Sequence, residues 1–170
     1  MRQQVYLDMG GNMDLIIFRY KCAKCENVFE APELPGEHYG EFLLRSMHGN
    51  IAYLMAIHSK EFRNVMNMLN ANIKLINFSD TERATILHNI FGIACDLAPD
   101  ETEYQIGRFP SCRNCKSIEM SLWGPVAPPK FINEEIKPIT HERWKKLKGQ
   151  EKIVLLNNAV DNYLHKMKID

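Results

Sequence analysis

Several things are missing from this chain, and each absence narrows the reading. No apolar run approaches the roughly 18 residues that a membrane-spanning helix needs, so no membrane span is expected. There is no net charge, because 21 Lys and Arg balance 21 Asp and Glu. Proteins that grip nucleic acid over much of their surface need a positive excess, since phosphate contacts supply most of the affinity. The balance therefore disfavours that class and leaves only a local patch open. No His-Glu-x-x-His and no Gly-rich phosphate loop is present, and the six histidines (38, 48, 58, 88, 141, 165) form no pattern that supplies a base to a nucleophile. Met1 to Met13 has no apolar segment of the kind that opens a secretory signal, so a cytoplasmic protein with reduced thiols is expected. Internal repeats and low-complexity runs are also missing.

What the chain does hold is an arrangement of cysteines. Four of its five cysteines form two Cys-x-x-Cys pairs, Cys22-Ala-Lys-Cys25 and Cys112-Arg-Asn-Cys115, with 86 residues between them. Two residues of spacing let a tight knuckle point both sulfurs at one ion, and two knuckles complete a tetrahedral site. A thioredoxin-like redox pair should instead open a helix after a strand. Here Asn27-Val28-Phe29-Glu30 follows the first pair and reads as a strand. The expected cofactor is structural Zn²⁺, with iron left open because it accepts the same ligands.

Strand-like sequence flanks both pairs, over about residues 13–31 and 103–124, and in this the chain resembles the zinc ribbon (rubredoxin-like) family. The resemblance implies one structural ion held by Cys22, Cys25, Cys112 and Cys115, and it says little about activity. One departure is visible. Knuckles of this family often carry Gly directly after the second Cys, where this chain has Glu26 and Lys116. Asn27 is the expected substitute for a glycine-like conformation at the first knuckle. Lys21, Lys24, Arg113 and Lys116 beside the ligands are expected mainly to offset the −2 charge of zinc with four thiolates, and less to contact phosphate.

In chain order, residues 1–12 read as a loose polar arm and Leu15 to Tyr20 as a strand entering the first knuckle. Val28 to Ala31 returns from it, and Pro32 with Pro35-Gly36 is expected to end that strand. Residues 41–57 read either as a hairpin about Gly49-Asn50 or as a helix broken at Gly49, and the turn signal favours the hairpin. Phe62, Val65, Met66 and Leu69 predict an amphipathic helix over about 59–70. Ser79-Asp-Thr-Glu82 is a capping box that opens a helix over 80–95. Tyr104 to Phe109 and Ser117 to Trp123 are expected to be the strands flanking the second knuckle. Residues 124–139, with several prolines, read as an extended strap. Thr140 is expected to cap a short helix from His141 to Leu147. Ile153, Leu156, Val160, Tyr163, Leu164 and Met167 mark a final helix, about 150–167.

The expected architecture is one α+β domain over 1–170: ribbon halves at 13–31 and 103–124, a mixed α/β insertion at 32–102, and a strap with C-terminal helices at 125–170. Cys95 is expected to be a small buried hydrophobe rather than a nucleophile. Trp144 is expected to pack inward while its lysine neighbours stay in water. The 26–111 segment holds 12 acids against 6 bases. A negative surface steers a basic partner, so Glu33, Glu37 and Glu41, read as exposed charges on or beside a turn-rich loop, are the candidate partner contacts. The functional expectation is a non-catalytic protein-binding or adaptor protein, such as a bacterial immunity or regulatory protein. A nucleic-acid-associated ribbon is second, and an enzyme with its site in the insertion is third.

Overall fold

A computed structural model describes residues 11–36 and 39–168. Among these, the chain forms a mixed α+β structure of two antiparallel sheets and four α-helices. The first sheet is organised about β1 (Gly11–Cys22), a strand long enough to take partners on both halves. β2 (Val28–Glu33) lies along one side of its C-terminal part, and β6 (Met120–Pro125) along the other. β7 (Phe131–Ile136) pairs with its N-terminal half, Gly11 opposite Ile136 and Leu15 opposite Ile132.

Three expectations change here. Gly11 and Asn12 belong to β1, and the rest of the proposed N-terminal arm lies outside the described residues. Pro32 does not end β2, because β2 is an edge strand and an edge tolerates a residue that cannot donate. The strap over 124–139 contains β7, whose Ile132 and Ile136 pack with Leu15 and Leu43.

The second sheet joins β3 (Glu41–Arg45), β4 (Ile51–Met55) and the short β5 (Gln105–Ile106), in the order β4-β3-β5. β3 and β4 make the expected hairpin, with Gly49 at φ +91°, a conformation that glycine adopts without a Cβ clash. β5 pairs with β3 and not with the metal-bearing strands, so the expected strand of 104–109 into the second knuckle is reduced to two residues on the other sheet.

Helix α1 (Lys60–Asn70) begins at Ser59, whose hydroxyl accepts from the Phe62 amide. Helix α2 (Asp80–Ile90) starts with the full Ser79–Glu82 capping box. It tightens after Ile90 into a 3₁₀ turn, residues 91–94, instead of running on to 95. Gly92 is required in that turn, since a Cβ there would clash with the Tyr104 carbonyl oxygen.

Helix α3 (Glu142–Lys146) receives its cap from a distant residue. Asp96 accepts from the Glu142 amide at 2.9 Å and the Arg143 amide at 2.7 Å. Thr140, the expected cap, instead donates its hydroxyl to Asp96 at 2.5 Å. Burial works against ionised Asp96, but these hydrogen bonds outweigh it and hold the carboxyl below its ordinary range. In α4 (Gly149–Met167), Leu156 and Val160 are buried, whereas Ile153 and Met167 are exposed.

The main core is built by the second sheet and the helices. Leu44, Leu54, Val65, Leu69, Ile86 and Phe91 meet Trp144, Leu156 and Val160 in one buried cluster. Each large apolar side chain buried there contributes roughly 1.5–3 kcal/mol. The 32–102 segment holds many of these residues. It supplies much of the principal core, and the C-terminal helices close over it.

Candidate metal centre

The two knuckles are built alike, although they come from distant parts of the chain. In the first, the Glu26 amide donates to the Cys22 carbonyl at 3.0 Å and the Cys22 amide to the Asn27 carbonyl at 2.9 Å. In the second, the Lys116 amide donates to the Cys112 carbonyl at 2.9 Å and the Cys112 amide to the Ser117 carbonyl at 2.8 Å. Such a turn requires a left-handed residue after the second cysteine. Glu26 takes it at φ 57° and Lys116 at φ 63°. The expectation that Asn27 would substitute for glycine is thus corrected, because Glu26 itself carries the strain. Its carboxylate is tied to Lys21 Nζ at 3.0 Å. Asn27 turns its side-chain amide toward Cys112 Sγ, at 3.7 Å.

Pairing of β1 with β2 and β6 closes the distance between the knuckles. β1 delivers Cys22 at its end, and Met120, just beyond the second knuckle, stands opposite Cys22. The four Sγ atoms of Cys22, Cys25, Cys112 and Cys115 lie within 4.8 Å of one another. Cys22 and Cys115 sulfurs are 3.5 Å apart, and those of Cys25 and Cys112 3.6 Å. Sulfurs about 2.3 Å from one tetrahedral zinc would lie about 3.8 Å apart, so the cluster has the dimensions to hold such an ion. All five cysteines have free thiols. Cys22 and Cys112 are fully buried, and Cys25 and Cys115 are half-buried.

The electrostatics also suit a cation. Backbone amides of Cys115 and Asn114 aimed at Cys112 hold its thiol down to about 6, against burial. The Asn27 amide lowers Cys25 in the same sense. At Cys115 the Ser117 amide favours the thiolate, but the neighbouring Cys25 sulfur and burial outweigh it and push the thiol up to about 12. Four crowded sulfurs do not all ionise on their own, whereas a bound dication deprotonates its thiol ligands outright. A small aromatic core backs the site: Tyr20 stacks on Phe29 at 5.6 Å and meets Phe109 edge-on at 6.1 Å.

The other sequence candidates fall in different places. Cys95 is fully buried, and burial, reinforced by Asp96, pushes its thiol well above the ordinary range. It is part of the main core. Trp144 is 1% exposed and donates from Nε1 to Asn64 Oδ1 at 3.3 Å, while Lys152 covers its ring at 5.2 Å.

Of the three acids, Glu37 lies outside the described residues. Glu41 accepts from the Tyr53 hydroxyl at 2.5 Å. Glu33 is not a free surface charge, which corrects the reading of it as an exposed loop acid. It pairs with Arg45 Nη2 at 2.8 Å and accepts from the Tyr20 hydroxyl. Arg45, 4% exposed, also donates to the Pro32 carbonyl at 2.5 Å and the Arg108 carbonyl at 3.1 Å. This knot joins the two sheets, and no sequence motif announces it because its members meet only in three dimensions.

Comparisons with protein-family models, with curated proteins and with solved structures give no match to this chain. Among the described residues, no helix is long and apolar enough to cross a membrane.

Proposed function

We propose that this chain is a non-catalytic binding or adaptor protein whose first sheet is held by a structural zinc ion in a ribbon-like four-cysteine site. The observation that carries the reading is the convergence of two equivalent knuckles, with their four sulfurs within 4.8 Å of one another. Zinc filled by four protein ligands leaves no position for water or substrate, and its role is then to fix the fold. The residues fit the ion: Cys22, Cys25, Cys112 and Cys115 would hold it, and the Asn27 side-chain amide would support Cys112 from outside. The partner contact is assigned to acids of the 26–111 segment, with the half-buried Glu41 kept as a candidate and Glu33 understood mainly as an internal tie. The biological class is that of an immunity or regulatory protein that engages a basic protein.

A second reading has one observation in its favour. Lys24 and Arg113 are exposed at the knuckles and have no acidic partner among the described residues, so the tip could meet phosphate. One experiment separates the two. Fluorescence polarisation with mixed RNA and DNA at low and high salt should show no saturable binding, while co-purification from the native cell should retain a protein. Salt-dependent nucleic-acid binding lost in a Lys24→Glu/Arg113→Glu variant would replace the adaptor reading with the second.

A further inference from the structure

We propose that the cleft between the two sheets binds a small planar aromatic molecule carrying one carboxylate. The cleft has a volume of about 360 Å³ and lies where the first sheet meets the second sheet and α2. Pockets of about 300–1,000 Å³ are the usual size for small ligands.

Its walls are rings. Trp123 of β6 packs against Phe109 with centroids 4.7 Å apart, and Phe42 of β3 meets His88 of α2 at 5.0 Å. Phe18 of β1 adds a further face. Burial holds His88 below its ordinary value, which favours the uncharged ring. Offset and edge-on ring contacts favour a flat aromatic guest over an aliphatic one.

The charges specify the rest. Arg45 and Glu33 both line the cleft and neutralise each other at 2.8 Å. Arg108 lines it as well, and its Nε is buried without a hydrogen-bond partner. No acid among the described residues pairs with its side chain. A buried guanidinium N–H left without an acceptor is unfavourable. A carboxylate offers the two parallel acceptors that its fork matches. Glu41, on the same lining, disfavours a second negative charge, which selects a monoanion over a phosphate dianion. A guest here would lie at the junction of the metal-bearing sheet and the helical body, and so would couple their relative placement to ligand. This goes beyond the binding-protein reading and does not depend on the identity of any protein partner.

The test is calorimetric titration of the zinc-loaded full chain with 2-naphthoate, 2-naphthamide and 2-naphthyl phosphate at pH 7. The acid should bind at about one per chain, at least about tenfold more tightly than the amide or the phosphate. Arg108→Gln should weaken the acid at least about tenfold and leave the amide unchanged, and Arg63→Gln on exposed α1 should change nothing. Near-UV circular dichroism checks that the variants are folded, and if Arg108→Gln is not, the acid–amide comparison on the natural chain decides. The proposal is overturned by equal affinity for acid and amide, by tighter binding of the phosphate, by full binding in a folded Arg108→Gln, or by no binding at millimolar acid.

Discussion

Glu33→Ala removes the carboxylate from the knot that joins the sheets, and its effect can be worked from the contacts. Arg45 has a side chain only 5% exposed and keeps two carbonyl acceptors, those of Pro32 and Arg108, when Glu33 is gone. Breaking a buried ion pair by removing one partner costs about 3–5 kcal/mol, because a charge is stranded. Glu33 is itself 21% exposed, so water can partly replace it, and the lower end, about 3 kcal/mol, is expected. At about 2–4 °C per kcal/mol for a chain of this size, Tm should fall by roughly 10 °C. Tyr20 would lose its acceptor in the same step. Adding Arg45→Met removes the stranded charge, so the double variant should be less destabilised than the sum of the single changes. Urea unfolding at pH 7 in zinc-containing buffer measures all three. A Glu33→Ala loss under about 1 kcal/mol, or strict additivity, would mean that Arg45 is not stranded when the carboxylate goes.

Three further outcomes follow from the same geometry. Glu26→Gly and Lys116→Gly should each raise stability by about 1 kcal/mol with metal content unchanged, since glycine occupies φ near +60° without the penalty that a Cβ brings; denaturant midpoints of the two variants check this. Asp100 feels some burial, but hydrogen bonds from Ser46, Thr102 and Asn50 hold its carboxyl well below the ordinary range. Its contribution is therefore fully present above the unfolded value of about 3.9 and is lost as pH falls toward the folded one, so the stability gap between wild type and Asp100→Asn should be constant from pH 5 to 8 and shrink below pH 4. Cys95→Ala should keep the metal and lose about 1–2 kcal/mol, and the wild-type Cys95 thiol should stay unreactive toward a thiol reagent until the protein unfolds.

What could be read from the chain was what neighbouring residues decide. The Cys-x-x-Cys spacing, the Ser79–Glu82 box and the glycine of the 45–51 turn each encode a conformation over four or five residues. All three stand in the structure as expected. What escaped was long-range. β7 carries Asn133, Glu134 and Glu135 between prolines and looks like a strap, yet Ile132 and Ile136 alternate to one face and find β1 more than a hundred residues earlier. Asp96 caps α3 across 46 residues, and Arg45 meets Glu33 through the folding of one sheet onto the other. Charge counts placed the acidic segment outside. Its apolar residues, Leu54, Val65, Leu75 and Ile86 among them, made it the body of the protein.

In the proposed reading, a metal ion joins the two knuckles and holds the first sheet together. Elemental analysis of the purified chain, combined with thermal melts with and without a strong chelator, tests it most directly. A structural zinc site contributes folding free energy on the order of 10 kcal/mol. About one zinc per chain and a large drop in Tm with chelator are expected, and Cys22→Ser and Cys112→Ser should each lose the zinc and melt low without chelator. A metal-free protein whose melting is the same in chelator would mean that the knuckles hold no structural ion.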